Sequence, residues 1–80
     1  MLTELASAKP IVGIKQSKRA VLDGKAQSAY AARDADPDIT GPFCELCRDC
    51  GVALVEVDTM EELGRACGIN VGAAVAVLPR

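Results

Sequence analysis

Apolar positions along the chain switch between helical and strand spacing in short blocks, and no block is long. Leu2 to Ala8 has the spacing of a brief helix, and Pro10-Ile11-Val12-Gly13 that of a short strand. From Lys15 to Asp23 the spacing is helical again. Ser17, Ala20 and Val21 share an inner face there, the outer face carries positive charge, and Gly24 stands where such a helix stops. Small residues around Tyr30 predict a strand from Ser28 to Arg33. The turn Asp34-Ala35-Asp36-Pro37 ends it, since proline disfavours helix at the residue before it.

The next helix is expected beyond that turn, with Pro42 in its first turn, where a missing N–H costs nothing. Phe43, Leu46, Cys47 and Cys50 then recur at helical spacing up to Gly51. Val52 to Val57 is almost continuously apolar and β-branched, the composition of a strand covered on both faces, which predicts the centre of the sheet. Thr59 and Glu62, three apart, form a capping box, and Gly68 ends the helix they start. Ala73 to Leu78 supplies a last apolar strand. The order α-β-α-β-α-β-α-β indicates an α/β fold with a sheet between helical layers.

Eighty residues are too few for a second hydrophobic core, so residues 1–80 are read as one domain. Tyr30 and Phe43 are the only aromatics, which leaves Ala, Val, Leu and Ile to fill the interior. No apolar run approaches the roughly 20 residues that cross a bilayer, and Met1-Leu2-Thr3-Glu4 lacks a basic signal region. A cytoplasmic location without membrane attachment is therefore expected. In a reducing cytosol Cys44, Cys47, Cys50 and Cys67 are better read as thiols than as disulfides.

A formal charge of −2 argues by itself against a partner made of phosphates. Its distribution argues otherwise: residues 1–25 carry five basic and two acidic side chains, a balance of +3, whereas residues 26–80 carry four and nine, a balance of −5. Any nucleic-acid contact should centre on the first third.

Two segments could form such a contact. In Gly13-Ile14-Lys15-Gln16-Ser17-Lys18-Arg19 a strand passes through glycine into a helix whose first turn is basic, and exposed amides at a helix start attract anions. The amide of Gln16 both donates and accepts, so it can tell base edges apart as well as hold phosphates. An ordinary solvated basic face explains the same spacing. In Ile69-Asn70-Val71-Gly72-Ala73-Ala74, Gly72 and the alanines would let a flat base approach closely, although a tight approach to the last strand accounts for them equally.

Other chemistries find less support. Cys44-x-x-Cys47-x-x-Cys50 invites a metal or redox reading, but a continuous helix lays the three along one stripe instead of folding them around an ion. There is no histidine, no phosphate-binding loop and no dinucleotide fingerprint, so no enzyme and no cofactor are expected. Asp34, Asp36 and Asp38 are read as turn aspartates that bond nearby backbone. With two aromatics in separate elements there is no stacking platform for single-stranded bases, so a bound RNA would have to be read by shape.

The chain resembles the ribosomal protein L-seven-Ae family, especially its short bacterial YbxF-type members. Four blocks carry the likeness in order: Gly13-Ile14-Lys15-Gln16-Ser17-x-Arg19, Arg33-Asp34-Ala35-Asp36-Pro37, Glu62-Leu63-Gly64-Arg65-Ala66-Cys67-Gly68-Ile69 and Val71-Gly72-Ala73-Ala74. The resemblance implies a three-layer αβα sandwich around a four-stranded mixed β-sheet. It also implies binding to kink-turns, RNA helices bent sharply beside tandem sheared G·A pairs. The basic helix tip (Gly13, Ile14, Lys15, Gln16, Lys18 and Arg19) would meet the G·A pairs. The loop from Ile69 to Ala74 would cover the nucleotide flipped out of the bulge, with Asp36 on the RNA side of that pocket.

Archaeal and eukaryotic members have Asn-Glu where this chain has Lys15-Gln16, the bacterial pair. A family lysine is replaced by Met60, and basic residues before the glycine by Ile11 and Val12, which weakens attraction for phosphate. The expected partner is a structured RNA, from ribosome, riboswitch or another transcript, bound by a monomer, with no DNA and no membrane. The alternative is a protein-interaction module of the same fold.

Overall fold

The computed structural model describes residues 8–80. Its elements are β1 (Ile11–Val12), α1 (Ile14–Leu22), β2 (Ala26–Ala32), α2 (Pro37–Asp49), β3 (Ala53–Val57), α3 (Met60–Ala66) and β4 (Val75–Pro79). The helix expected over Leu2 to Ala8 falls outside the described residues, except for Ala8 itself.

The four strands form one mixed sheet in the order β1-β4-β2-β3, with β4 antiparallel to both neighbours and β2 parallel to β3. Alternation along the two central strands sends side chains to opposite faces. Ala29, Ala31, Val75 and Val77 meet Ala20 and Val21 of α1 and Phe43 and Cys47 of α2. On the other face Ala32 and Ala76 pack with Leu63 of α3 and with Cys67 just beyond it. Three layers result, as the sequence predicts. Full burial of Phe43 and Leu63 contributes about 1.5–3 kcal/mol each, one anchor per face.

Two expectations are overturned. The strand read as the sheet's centre is its edge: in β3, Ala53, Val55 and Glu56 are exposed and only Val57 is buried. The centre is the alanine-rich β2 beside β4, each paired on both sides, whereas β3 pairs with β2 alone.

Pro42 is not in the first turn of its helix either. Helix α2 starts five residues earlier, with Pro37 in the first turn and Asp36 as the cap, its carboxylate accepting from the Asp38 amide at 2.9 Å. The fixed φ of proline suits a first turn, so the Asp36-Pro37 pair that was read as a turn is also a helix start. Elsewhere the element limits match within about two residues. Helix ends fall at Gly24, Gly51 and Gly68 as expected. The Thr59 hydroxyl accepts from the Glu62 amide at 3.0 Å, capping α3.

Candidate functional site

Strand directions bring four connections to one end of the sheet. Val12 pairs with Ala76, so the residues after β1 lie beside those before β4, and the Gly13 amide donates to the Val75 carbonyl at 3.3 Å. The Ala32 amide donates to Ala74 and the Arg33 amide to Val57, which draws the ends of β2 and β3 to the same place. The turn at Gly13, the segment 33–36 and the loop 69–74 therefore share one rim. Their sequence separation hides this.

Gly13 carries φ of +102°, a conformation that opens a sharp corner from β1 into α1 and that side chains resist. Its carbonyl accepts from the Ser17 amide at 2.9 Å. Ser17 is fully buried, and its hydroxyl donates to the Ile11 carbonyl at 3.3 Å. With Ser17, Ala20 and Val21 turned inward, the helical period sends Ile14, Lys15, Gln16, Lys18 and Arg19 outward, where all five are exposed. No side chain caps the first-turn amides, and that turn holds no acidic residue. Positive potential from the helix dipole thus adds to that of the lysines.

The loop 69–74 is pinned at both ends. Gly68 and Ile69 donate to the Arg65 and Gly64 carbonyls at 3.1 and 3.0 Å, closing α3, and the Ala73 amide donates to Met60 at 3.0 Å. Between these pins the chain lies directly on Gly64. A Cβ at that position would collide with the Val71 carbonyl and stand 3.2 Å from the Cα of Gly72. Val71 itself is 69% exposed, an aliphatic side chain held out by a braced backbone. Asn70 and Gly72 are also exposed, and Ile69 and Ala74 are half-buried. Ala73, by contrast, is a core residue beneath the loop.

The acidic segment divides its labour. Asp36 bonds nearby backbone as the cap of α2, as turn aspartates were expected to do. Asp34 does not: its carboxylate accepts from the Met60 amide at 2.8 Å, 26 residues away, at the start of α3. Asp34, Met60 and Arg65 line a cleft with Ile69, Val71 and Gly72. Along the α3 wall Arg65 donates to Glu61, one turn earlier, at 3.0 Å. Cys44, half-buried, and Cys47, buried, lie on α2, and the exposed Cys50 caps its end. Burial, then the neighbouring Cys44 and Cys50, push the Cys47 thiol up to about 11, and burial raises Cys44 and Cys67 as well. Such thiols hold their protons and make poor nucleophiles or metal ligands at neutral pH.

Residues 3–79 match the family described as Ribosomal protein L7Ae/L30e/S12e/Gadd45. The chain belongs to it. An RNA-binding protein of Caldanaerobacter subterraneus is 44% identical over 75 residues, which cover 94% of this chain and 92% of that one. RNA-binding protein YbxF of Geobacillus stearothermophilus is 37% identical over 76 residues, covering 95% and 93%. A solved structure of a Giardia lamblia 15.5kD RNA binding protein superposes with a TM-score of 0.89 at 32% identity, covering 99% of this chain and 68% of the other.

Membership in the L7Ae family fits the three-layer arrangement and the short bacterial type that the four sequence blocks indicated. Sequence reasoning missed Asp34, Met60 and Arg65 as walls of the cleft. The signal that could have found Asp34 is its place in the Arg33-Asp34-Ala35-Asp36-Pro37 block. Reading it as a turn residue concealed a bond to a distant helix. Among the described residues, no helix is long and apolar enough to cross a membrane.

Proposed function

We propose that this chain is an RNA-binding protein that recognises kink-turns through the exposed tip of α1 and the loop 69–74. One observation carries the reading: the Gly13 amide bonds the Val75 carbonyl, so a basic helix tip and an apolar shelf abut on one rim. Lys15 donates to guanine O6 or N7 in the major groove, and the Gln16 side-chain carbonyl accepts from a guanine amino group. Lys18 and Arg19 contact phosphates, with Gly13 and Ile14 letting the RNA backbone close on the corner. The exposed side chain of Val71, flanked by Asn70 and Gly72 and backed by Ile69 and Ala74, covers the extruded nucleobase. Ala73 and Asp36 act indirectly, as core under the loop and as cap of α2.

Support comes also from the relatives, several of which bear the name RNA-binding protein. No cofactor and no catalytic step belong to this reading. Gel shifts on a kink-turn RNA, and on the same RNA with its G·A pairs replaced by Watson–Crick pairs, test it. The intact motif should bind at least tenfold more tightly, and Gln16→Ala should remove most of that preference. Losing the Lys18 ammonium should instead lower the salt slope by about 0.7–0.9 on both RNAs alike. Equal affinity for the two RNAs would overturn the specific reading, and no affinity for either would leave a protein-interaction module.

A further inference from the structure

The positive surface does not end at the helix tip. A groove of about 430 Å³ continues from it along the flank of α1, lined by Ile11, Lys15, Gln16, Arg19, Asp23 and Lys25. We propose that this groove is a second RNA contact, in which Arg19 and Lys25 hold the sugar–phosphate backbone of one helical arm leaving the kink. The proposal rests on the RNA-binding reading above and extends it from the bend to a stem.

Charge supplies the first argument. Three cations and one carboxylate line the groove in a protein whose formal charge is −2. Outside the groove, the Arg80 backbone amide donates to the Lys25 carbonyl at 2.9 Å and its guanidinium to the Ala26 carbonyl at 3.4 Å, which ties down the chain at the Lys25 end. The one carboxylate, Asp23, meets Arg19 at 3.9 Å with both side chains well exposed. Such a pair is worth little and yields readily to a phosphate.

Geometry supplies the second. Lys25 is held at a fixed place because its amide donates to the Ala20 carbonyl at 2.9 Å, closing the end of α1. From Ile14 to Leu22 the helix rises about 13 Å, room for roughly three or four phosphates at the axial spacing of a nucleic-acid strand. Lys15, Gln16 and Arg19 belong to both the tip and the groove, so one ligand can occupy the two without a break and Lys25 is the cation that the groove adds. An acidic peptide would need buried aromatic or aliphatic anchors, and the walls offer only Ile11 and Ala20 for them.

The test uses the whole chain and kink-turn RNAs that differ only in arm length, one with both stems trimmed and two with a single stem lengthened by about one helical turn. Lengthening one arm should tighten wild-type binding about tenfold and steepen its salt dependence. Lys25→Gln should erase most of that gain and lower the slope by about 0.9, with the trimmed RNA bound as before. Asp23→Asn should do the reverse, tightening the long RNA two- to threefold and the trimmed one by less, since it frees Arg19 for either. Equal affinity for all lengths, or Lys25→Gln weakening trimmed and long RNAs alike, would overturn the groove while leaving the tip intact. A poly-glutamate peptide that removes the long RNA's advantage while leaving the trimmed RNA bound, at concentrations where a plain duplex does not, would assign the groove to acidic protein instead. Failure of the wild type to bind any of these RNAs removes both readings together.

Discussion

At Gly64 a hydrogen stands where other residues carry carbon, and the loop 69–74 depends on the difference. Because the opposing atoms are backbone, of Val71 and Gly72, they cannot swing aside as a side chain would. Gly64→Ala should therefore cost about 2 kcal/mol or more, a fall of roughly 10 °C in melting temperature, and should lift the shelf from its place. Calorimetry with a parallel kink-turn titration checks both effects. Cys47 gives a second residue-scale expectation. The unfolded chain releases this thiol proton from about pH 9, the folded one only near 11, so its stabilising share is complete below pH 9 and drains away between the two. That loss is on the order of 2 kcal/mol. Denaturant midpoints across this window should decline less steeply in Cys47→Ala than in the parent, whatever the variant's overall stability. At this scale the outward set Lys15, Gln16, Lys18 and Arg19 was legible, because helical period alone assigns it once Ser17, Ala20 and Val21 are taken as inner. Asp34 was not, since its partner Met60 is 26 residues away and no local pattern points there.

Helix ends could be read from single glycines, but the start of α2 depends on which of two prolines is counted. Pro37 fits the first turn after the Asp36 cap, and this leaves Pro42 inside α2, where its ring denies the Asp38 carbonyl its helical partner. Pro42 is exposed and its side chain is no part of the core. Pro42→Ala should therefore stabilise the protein by about 1 kcal/mol or more, raising the melting temperature by roughly 5 °C. A variant that melts lower would mean that the proline holds α2 in a bend the packing needs. The strand β3 was misplaced for a related reason. Val52 to Val57 has the composition of a buried strand, yet composition says nothing about neighbours. Parallel pairing of β3 with β2 alone leaves Val55 turned to solvent and lets Arg33 meet Glu56 at 3.2 Å across the edge. A run of small residues, Ala26 to Ala32, marked the true centre, since alanine allows helices to close on both faces. That signal was present and was outweighed by the bulkier run.

The whole molecule adds what neither residues nor elements contain: strand order sets the Gly13 corner beside the loop that precedes β4. Two surfaces nearly 60 residues apart in sequence are thereby placed where one ligand could reach both, and the energetics of the proposed grip can be tested. Val71→Asp puts a carboxylate where a nucleobase is proposed to stack, at a side chain exposed enough that folding should be unaffected. It should weaken kink-turn binding about a hundredfold, through lost apolar contact and repulsion of phosphate. Gln16→Ala alone should weaken it about tenfold, one lost base contact being worth about 1–3 kcal/mol. If the tip and the shelf grip different parts of a single bent RNA without touching each other, the double variant should lose close to the product of the two factors, because contacts without shared partners add as free energies. A double variant no weaker than Val71→Asp alone would mean that the helix tip engages only after the nucleobase is seated, so that the shelf opens the recognition and the tip completes it. Binding of the double variant to a plain duplex should fall only through the added negative charge, which higher salt masks, whereas the loss on the kink-turn should persist there.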